Sequence, residues 1–220
     1  MKKVLITMRY DINQYGKLID IFERDYSSLF SNYPIQLIIL PNVWDSMEYW
    51  INVGFDGLIL SGGNDISVNE KGMLSAKEFL SSRDKIELEL LKFAKKTSIP
   101  VLGICRGMQM INLSYGGVIN LFSNENNHAL NKSHPIEVLN SKFSRDLGTF
   151  MLTVNSFHNW YSYESDIPKE IKIFAKSKNI VEGIISGDCK IIGIQWHPER
   201  EEKITPISDY IINLFVKKLW

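Results

Sequence analysis

In the first half of the chain, apolar residues come in short unbroken runs. Residues 4–8, 35–40, 57–61 and 100–104 are brief and apolar at nearly every position, as strands covered on both faces of a parallel sheet tend to be. Between the last two the period changes. Ile86, Leu90, Phe93 and Ala94 recur at helical spacing within residues 82–96, and Ser81 with Asp84 supplies a capping box at the start. The second half reads as further strands at 149–154, 171–175, 181–186 and 190–195, several of them antiparallel, with Gly187-Asp188 as the turn between the last two. Thr205-Pro206 then opens an amphipathic helix through Ile207, Tyr210, Ile211, Leu214 and Phe215. Strands alternating with helices predict an α/β fold. No repeat, linker or low-complexity stretch divides the chain, so residues 1–220 are expected to form a single domain.

Charge and composition remove several classes of function. Twenty-five basic residues balance twenty-five acidic ones, so no global field draws nucleic acid or an anionic membrane, and neither is expected as a partner. Lys95-Lys96 and Lys217-Lys218 fall at predicted helix C-termini, where they complement the helix dipole. Two cysteines and four histidines give neither a disulfide framework nor a zinc-ligand spacing, so no metal is expected. No apolar run is long enough to span a bilayer, and the stretch after Met1-Lys2-Lys3 is too short for a signal segment. The expected compartment is the cytoplasm.

The chemistry concentrates around one thiol. A buried strand runs into Gly103-Ile104-Cys105-Arg106-Gly107, and a helix follows at once, ending near Gly116-Gly117. This is the thiol form of a strand–turn–helix nucleophile elbow. The nucleophile takes a strained backbone in a tight turn, and side chains two residues to either side would collide unless both are glycine. A sulfur at a helix N-terminus also meets unbonded amides and the positive end of the dipole, which favour the thiolate. A buried structural cysteine is the competing reading; the two glycines and the following helix argue against it. Cys189 has no such context and reads as a strand-end thiol.

A second motif supplies the base. In Gln195-Trp196-His197-Pro198-Glu199 a strand delivers His197 at its end, and Pro198 stops the ladder there. Glu199 lies close enough to accept a hydrogen bond from one imidazole nitrogen, fixing the tautomer and leaving the other to exchange a proton with Cys105. Nucleophile, base and orienting carboxylate are all present.

With these residues in view, the chain resembles the class I glutamine amidotransferase-like superfamily, and within it the free-standing γ-glutamyl hydrolase branch (γ-glutamyl-γ-aminobutyrate hydrolase-like). Residues 103–109 and 195–199 match its two catalytic motifs, and Ser61-Gly62-Gly63-Asn64-Asp65 matches its glycine-rich oxyanion strand. Arg83-Asp84 with Glu87, and Asn155-Ser156-Phe157-His158, match the hydrolase branch more closely. The resemblance implies a flavodoxin-like three-layer sandwich, with a mostly parallel central sheet and an antiparallel C-terminal portion, and it implies no cofactor. It implies that Cys105 attacks a γ-glutamyl carbonyl of a small-molecule substrate, that His197 shuttles the proton and that Glu199 orients it. Backbone N–H groups of Arg106 and of Gly62 or Gly63 would hold the oxyanion. Gln109, Ser156 and Phe157 would border the glutamyl head, with His158 and Asp65 towards the leaving group.

Two other readings share these residues. A glutaminase subunit feeding ammonia to a synthase partner would use the same three groups; the Arg106-Gly107 form of the elbow and the Asn-Ser-Phe-His segment speak for the hydrolase. A non-enzymatic relative would not need to keep every residue serving one reaction. Members of the hydrolase branch act on γ-glutamyl-γ-aminobutyrate, poly-γ-glutamyl folates or a γ-glutamyl nucleotide amidate of capsule synthesis; the Lys-, Asn- and Ile-rich composition suggests an AT-rich bacterial genome, and with it the resemblance implies the last. Trp160 and Tyr161, just past His158, would stack on a base or pack against the body of the protein, and packing is the expectation. Oligomeric state is not legible.

Overall fold

The computed structural model describes residues 1–43, 47–122, 132–188 and 190–220. In chain order its elements are β1 (Lys2–Thr7), β2 (Arg9–Ile12), β3 (Leu18–Ile21), α1 (Arg24–Phe30), β4 (Ile35–Leu40), α2 (Met47–Val53), β5 (Gly57–Leu60), α3 (Ser82–Thr97), β6 (Val101–Ile104) and α4 (Arg106–Ser114). They continue as β7 (Asn120–Leu121), β8 (His134–Val138), α5 (Ser141–Leu147), β9 (Met151–Val154), β10 (Trp160–Tyr161), β11 (Ile171–Ser177), β12 (Ile180–Ser186), β13 (Ile191–Ile194) and α6 (Pro206–Lys218).

The main sheet has nine strands in the order β4-β1-β5-β6-β13-β12-β11-β8-β9. From β4 to β13 the pairings are parallel; from β13 to β9 they are antiparallel. This is the mixed α/β architecture expected from the sequence. The apolar runs become its centre, because a parallel strand covered by helices on both faces must be apolar at every position. Leu58, Ile59, Leu60, Val101, Leu102, Ile104, Ile192 and Ile194 are fully buried, each contributing roughly 1.5–3 kcal/mol.

Successive side chains serve opposite faces. Val4, Ile6, Ile59, Leu102 and Ile194 pack with Tyr26, Phe30, Ile207, Ile211 and Phe215 from α1 and α6. Leu5, Leu58, Leu60 and Val101 pack with Ile86, Leu90, Met108 and Ile111 from α3 and α4. Helix α3 begins with the anticipated capping box, Ser81 and Asp84 bonding reciprocally. Thr205 caps α6 ahead of Pro206. Among the described residues no helix is long and apolar enough to cross a membrane.

The structure adds elements that the apolar pattern does not show. β2 and β3 form a separate antiparallel hairpin whose positions are all exposed or half-buried, so no core periodicity marks it. α1, α2 and α5 are seven residues each, too short to display a helical period. β8 contains Pro135, which breaks the strand signature. Cys189 lies outside the described residues.

The register of the central strands sets up the chemistry. β6 and β13 are parallel neighbours, with Gly103 beside Gly193 and Ile104 beside Ile194. Whatever follows each strand therefore emerges at the same end of the sheet, where ligands bind in open α/β folds.

Candidate active site

Cys105 follows β6 and is the N-cap of α4, with φ 51° and ψ −104°. A non-glycine residue in that region is strained, and such strain persists only where the surroundings enforce it. Here its N–H donates to the Ile194 carbonyl at 2.7 Å, and its carbonyl accepts from Gln109 N at 3.2 Å. The flanking glycines are explained by contact. A Cβ on Gly103 would lie 2.6 Å from the Gly107 carbonyl, and one on Gly107 would lie 2.1 Å from the Leu60 carbonyl oxygen. The turn closes only because both are absent.

The strand after β6 in space is β13, and it delivers His197, the candidate base. His197 and Glu199 are buried, with His197 Nδ1 at 2.6 Å from Glu199 Oε1. Nδ1 is thus committed to the carboxylate, so Nε2 is the ring nitrogen that remains. Burial alone would lower the His197 pKa. The charges of Cys105 and Glu199, with their hydrogen bonds, outweigh it and push the value up to about 10.

Several further residues hold this pair. Asn155 grips the backbone of His197 from both sides, accepting from its N–H at 2.8 Å and donating to its carbonyl at 2.7 Å. Phe157 meets the imidazole edge-on, with ring centroids 5.4 Å apart. Gln195 donates to the Cys105 sulfur at 3.5 Å, and Gln109 donates to the Trp160 carbonyl at 3.2 Å and towards Gln195 at 3.5 Å. Asn155 and Gln195 stand inside motifs legible in the sequence, but nothing in a linear reading separates them from their neighbours as anchors.

The glycine-rich segment expected as a strand, Ser61 to Asp65, is instead the loop that follows β5, and it lies across the cleft. Gly62 donates its N–H to the Tyr26 hydroxyl at 2.9 Å, so that amide is already used. A Cβ on Gly62 would sit 2.8 Å from His197 Cε1, so the glycine is what admits the imidazole. Gly63 follows at φ +103°, a conformation that favours glycine. The carbonyls of Ser61 and Gly62 both accept from Arg83 Nη2, at 2.8 and 2.9 Å. Tyr26 comes from α1, and no sequence motif marked it. Its burial, and next the Glu199 charge, raise its pKa well above the ordinary phenol value.

Beneath the elbow is a buried ionic cluster. Arg106 turns its guanidinium away from the cleft to bond Asp84 and Glu87, and Glu87 also accepts from Arg83 Nε at 2.9 Å. All four side chains are at most 2% exposed. The first turns of α3 and α4 are thereby clamped together beneath Cys105. Asp84 completes its coordination with Ser67 Oγ at 2.7 Å.

The remaining candidates sit around the rim. Ser156 is fully buried and Gln109 nearly so, while Asp65 is exposed on the loop beyond Gly63. Trp160 packs against the core and Tyr161 stacks on Phe122 at 4.2 Å. Although no metal-ligand spacing exists in the sequence, the fold gathers His134, His158 and Glu182 into one cluster. Burial, and then the negative charge at Cys105, raise the Glu182 carboxyl well above its usual range. Beyond His134 opens a cavity of about 780 Å³, lined by Phe122, Lys132, Glu137, Lys176 and Lys178 among others.

The chain is similar to known proteins. Residues 12–199 match the family described as Peptidase C26. The gamma-glutamyl-CDP-amidate hydrolase of Campylobacter jejuni is 29% identical over 194 residues, covering 88% of this chain and 82% of that one. The glutamine-hydrolyzing GMP synthase of Borrelia garinii is 28% identical, covering 100% of this chain and 38% of that one. Among solved structures, the glutaminase domain of Trypanosoma brucei CTPS with bound acivicin has a TM-score of 0.68 at 14% identity, covering 100% of this chain and 93% of that one. At that identity the likeness shows the fold.

Proposed function

The chain belongs to the Peptidase C26 family within the class I glutamine amidotransferase-like proteins, and from that premise we propose that it hydrolyses γ-glutamyl amide bonds through a γ-glutamyl thioester on Cys105. The observation that carries this reading is the 2.6 Å bond from His197 to Glu199 beside a thiol held in a strained elbow.

In the cycle, the Cys105 thiolate attacks the γ-carbonyl and its electrons move onto the carbonyl oxygen. The backbone N–H of Gly63 and that of Arg106 receive the oxyanion. Gly63 is preferred to Gly62 because the latter amide is spent on Tyr26. Arg106 is the first residue of α4, so its N–H has no acceptor within the helix. Collapse of the tetrahedral adduct breaks the C–N bond, with the proton going from His197 to the leaving amine. Water then attacks the thioester as His197 takes its proton, releasing glutamate and restoring the thiolate. Gln109, Ser156 and Phe157 border the glutamyl head in this reading.

For the leaving group, the reading is an anionic amidate such as CDP-amidate. It rests on the relative named for that substrate and on the cavity beyond His134, which carries three lysines against one glutamate, with the Phe122–Tyr161 stack beside it. The test is glutamate release from a panel of γ-glutamyl amides differing only in the amine. Faster turnover of the phosphorylated member than of γ-glutamyl-γ-aminobutyrate is expected, and equal rates would remove the anionic assignment. The GMP synthase relative favours a second reading, a glutaminase serving a synthase. That reading predicts turnover of free glutamine that rises when a partner is added.

A raised His197 pKa gives a pH prediction. The protonated ring is favoured fully below its ordinary value near 6.5, and that advantage disappears as pH rises through about 10. Since the ring must deliver a proton to the amine, kcat is expected to hold through neutral pH and fall only on approach to pH 10. The Glu199 charge is among the causes that raise the value, so Glu199→Gln should draw the descending limb towards neutrality. A limb unmoved in that variant would contradict the role given to Glu199.

A further inference from the structure

We propose that His134, His158 and Glu182 form a binding site for one divalent zinc ion on the wall of the active-site cleft. The three residues are brought together by distant parts of the chain. His134 opens β8, His158 lies in the loop after β9, and Glu182 stands in β12. Their donor atoms all lie within 4.8 Å of one another. His134 Nε2 is 3.5 Å and His158 Nε2 is 3.8 Å from the same oxygen, Glu182 Oε1. In a tetrahedral zinc site, with bonds of about 2.0–2.2 Å, neighbouring donors stand roughly 3.3 Å apart. These two distances need to close by only a few tenths of an ångström.

The orientation of each ring fits a metal ligand. His134 Nδ1 lies 3.3 Å from the Pro135 carbonyl, and His158 Nδ1 lies 2.9 Å from the Trp160 carbonyl. A carbonyl oxygen only accepts, so Nδ1 carries the proton in both rings and the neutral Nε2 presents a lone pair. Anchoring one imidazole nitrogen on a carbonyl while the other faces the ion is how zinc-binding histidines are held.

Glu182 supplies the third donor. Its side chain is fully buried, and neither carboxylate oxygen accepts a hydrogen bond from the described residues. Leaving a buried carboxylate in that condition is costly. One proton can bridge Oε1 to a single ring, whereas a cation at the centre is shared by all three donors. Two histidines and one glutamate suit Zn²⁺, with a fourth position for water or a ligand atom. His134, the least buried of the three at 14% exposed, also lines the cavity of about 780 Å³, which gives the ion a route in. The ion would tie the antiparallel wing of the sheet to the segment whose Asn155 grips His197.

The test uses the full chain carrying Cys105→Ala, so that the catalytic thiol cannot supply a ligand. After treatment with a chelator and dialysis, ZnCl₂ is titrated by calorimetry and bound metal is counted. One Zn²⁺ per chain is expected, with the melting temperature rising by about 5–10 °C at a hundredfold excess over Kd. His158→Gln should weaken binding by more than the roughly 10–100-fold that follows loss of an outer partner. His134→Gln, at the more exposed position, should do the same, and circular dichroism reports whether each variant is folded. Co²⁺ in place of Zn²⁺ should give the absorption of a four-coordinate N/O site. Substoichiometric zinc, or binding undiminished in folded His134→Gln, would overturn the assignment and leave a proton between Glu182 and one ring.

Discussion

Cys105→Ala is expected to lower turnover of any γ-glutamyl substrate by at least about 10⁵-fold while the protein stays folded. Removing one member of a cooperating nucleophile–base set costs nearly as much as removing the whole set, and 10⁵ corresponds to about 7 kcal/mol of transition-state stabilisation. The stability consequence should be small. The Cys105 side chain is one atom larger than alanine, and the bonds enforcing the turn are made by its backbone to Ile194 and Gln109. A thermal melt near that of wild type alongside abolished glutamate release is the predicted pair. A γ-glutamyl diazoketone should alkylate Cys105, and peptide mapping should find Cys189 unlabelled. Residual activity within tenfold of wild type would remove Cys105 from the mechanism.

The second large effect concerns stability. Arg106→Ala is expected to cost about 3–5 kcal/mol, because removing one partner of a buried ionic cluster leaves the others uncompensated. Here the carboxylate left without a cation is Asp84, while Glu87 keeps only Arg83; both acids are fully buried beneath the elbow. For a chain of this length that is a fall in melting temperature of roughly 6–20 °C. The contrast is Asp84→Asn with Arg106→Met, which keeps Glu87 as the partner of buried Arg83. Neutralising Asp84 together with the arginine should recover much of the loss, since well-packed neutral replacements of buried ion pairs are often nearly neutral in stability. A single-variant melt within 2 °C of wild type would mean that the cluster does not carry this load. Activity separates two roles of the same residue. The backbone N–H of Arg106 survives every side-chain change, so the folded double variant should keep measurable turnover.

How far the molecule could be read before its structure depended on whether a constraint was local. Gly103 and Gly107 are needed by a turn five residues long, and that demand is visible in the sequence. His197 and Glu199 are two residues apart and found each other as expected. Asn155 holds His197 across 42 residues, and Tyr26 holds Gly62 across 36. Such contacts depend on strand order, which no local pattern encodes. The choice between Gly62 and Gly63 needed the Tyr26 hydroxyl for the same reason. No sequence spacing marks His134, His158 and Glu182 as a cluster, because separate strands and loops deliver them. In the fold, the buried runs were plain because both faces of each strand are covered. The β2–β3 hairpin was not, since none of its positions is buried.

The position of β13 has a consequence for how the protein is made. It is the last strand in chain order but the fifth across the sheet, seated between β6 and β12. While the polypeptide leaves the ribosome, β6 can dock on β5 yet has no neighbour on its other side until residues 191–194 arrive. The emerging chain therefore carries an unsatisfied strand edge in the middle of its future core, the kind of edge that recruits other chains. The same delay keeps the protein chemically silent. Gln195, His197 and Glu199 arrive with β13, so under the proposed mechanism the thiol gains its proton partner only when the sheet is sealed, and a prematurely terminated chain has no working site.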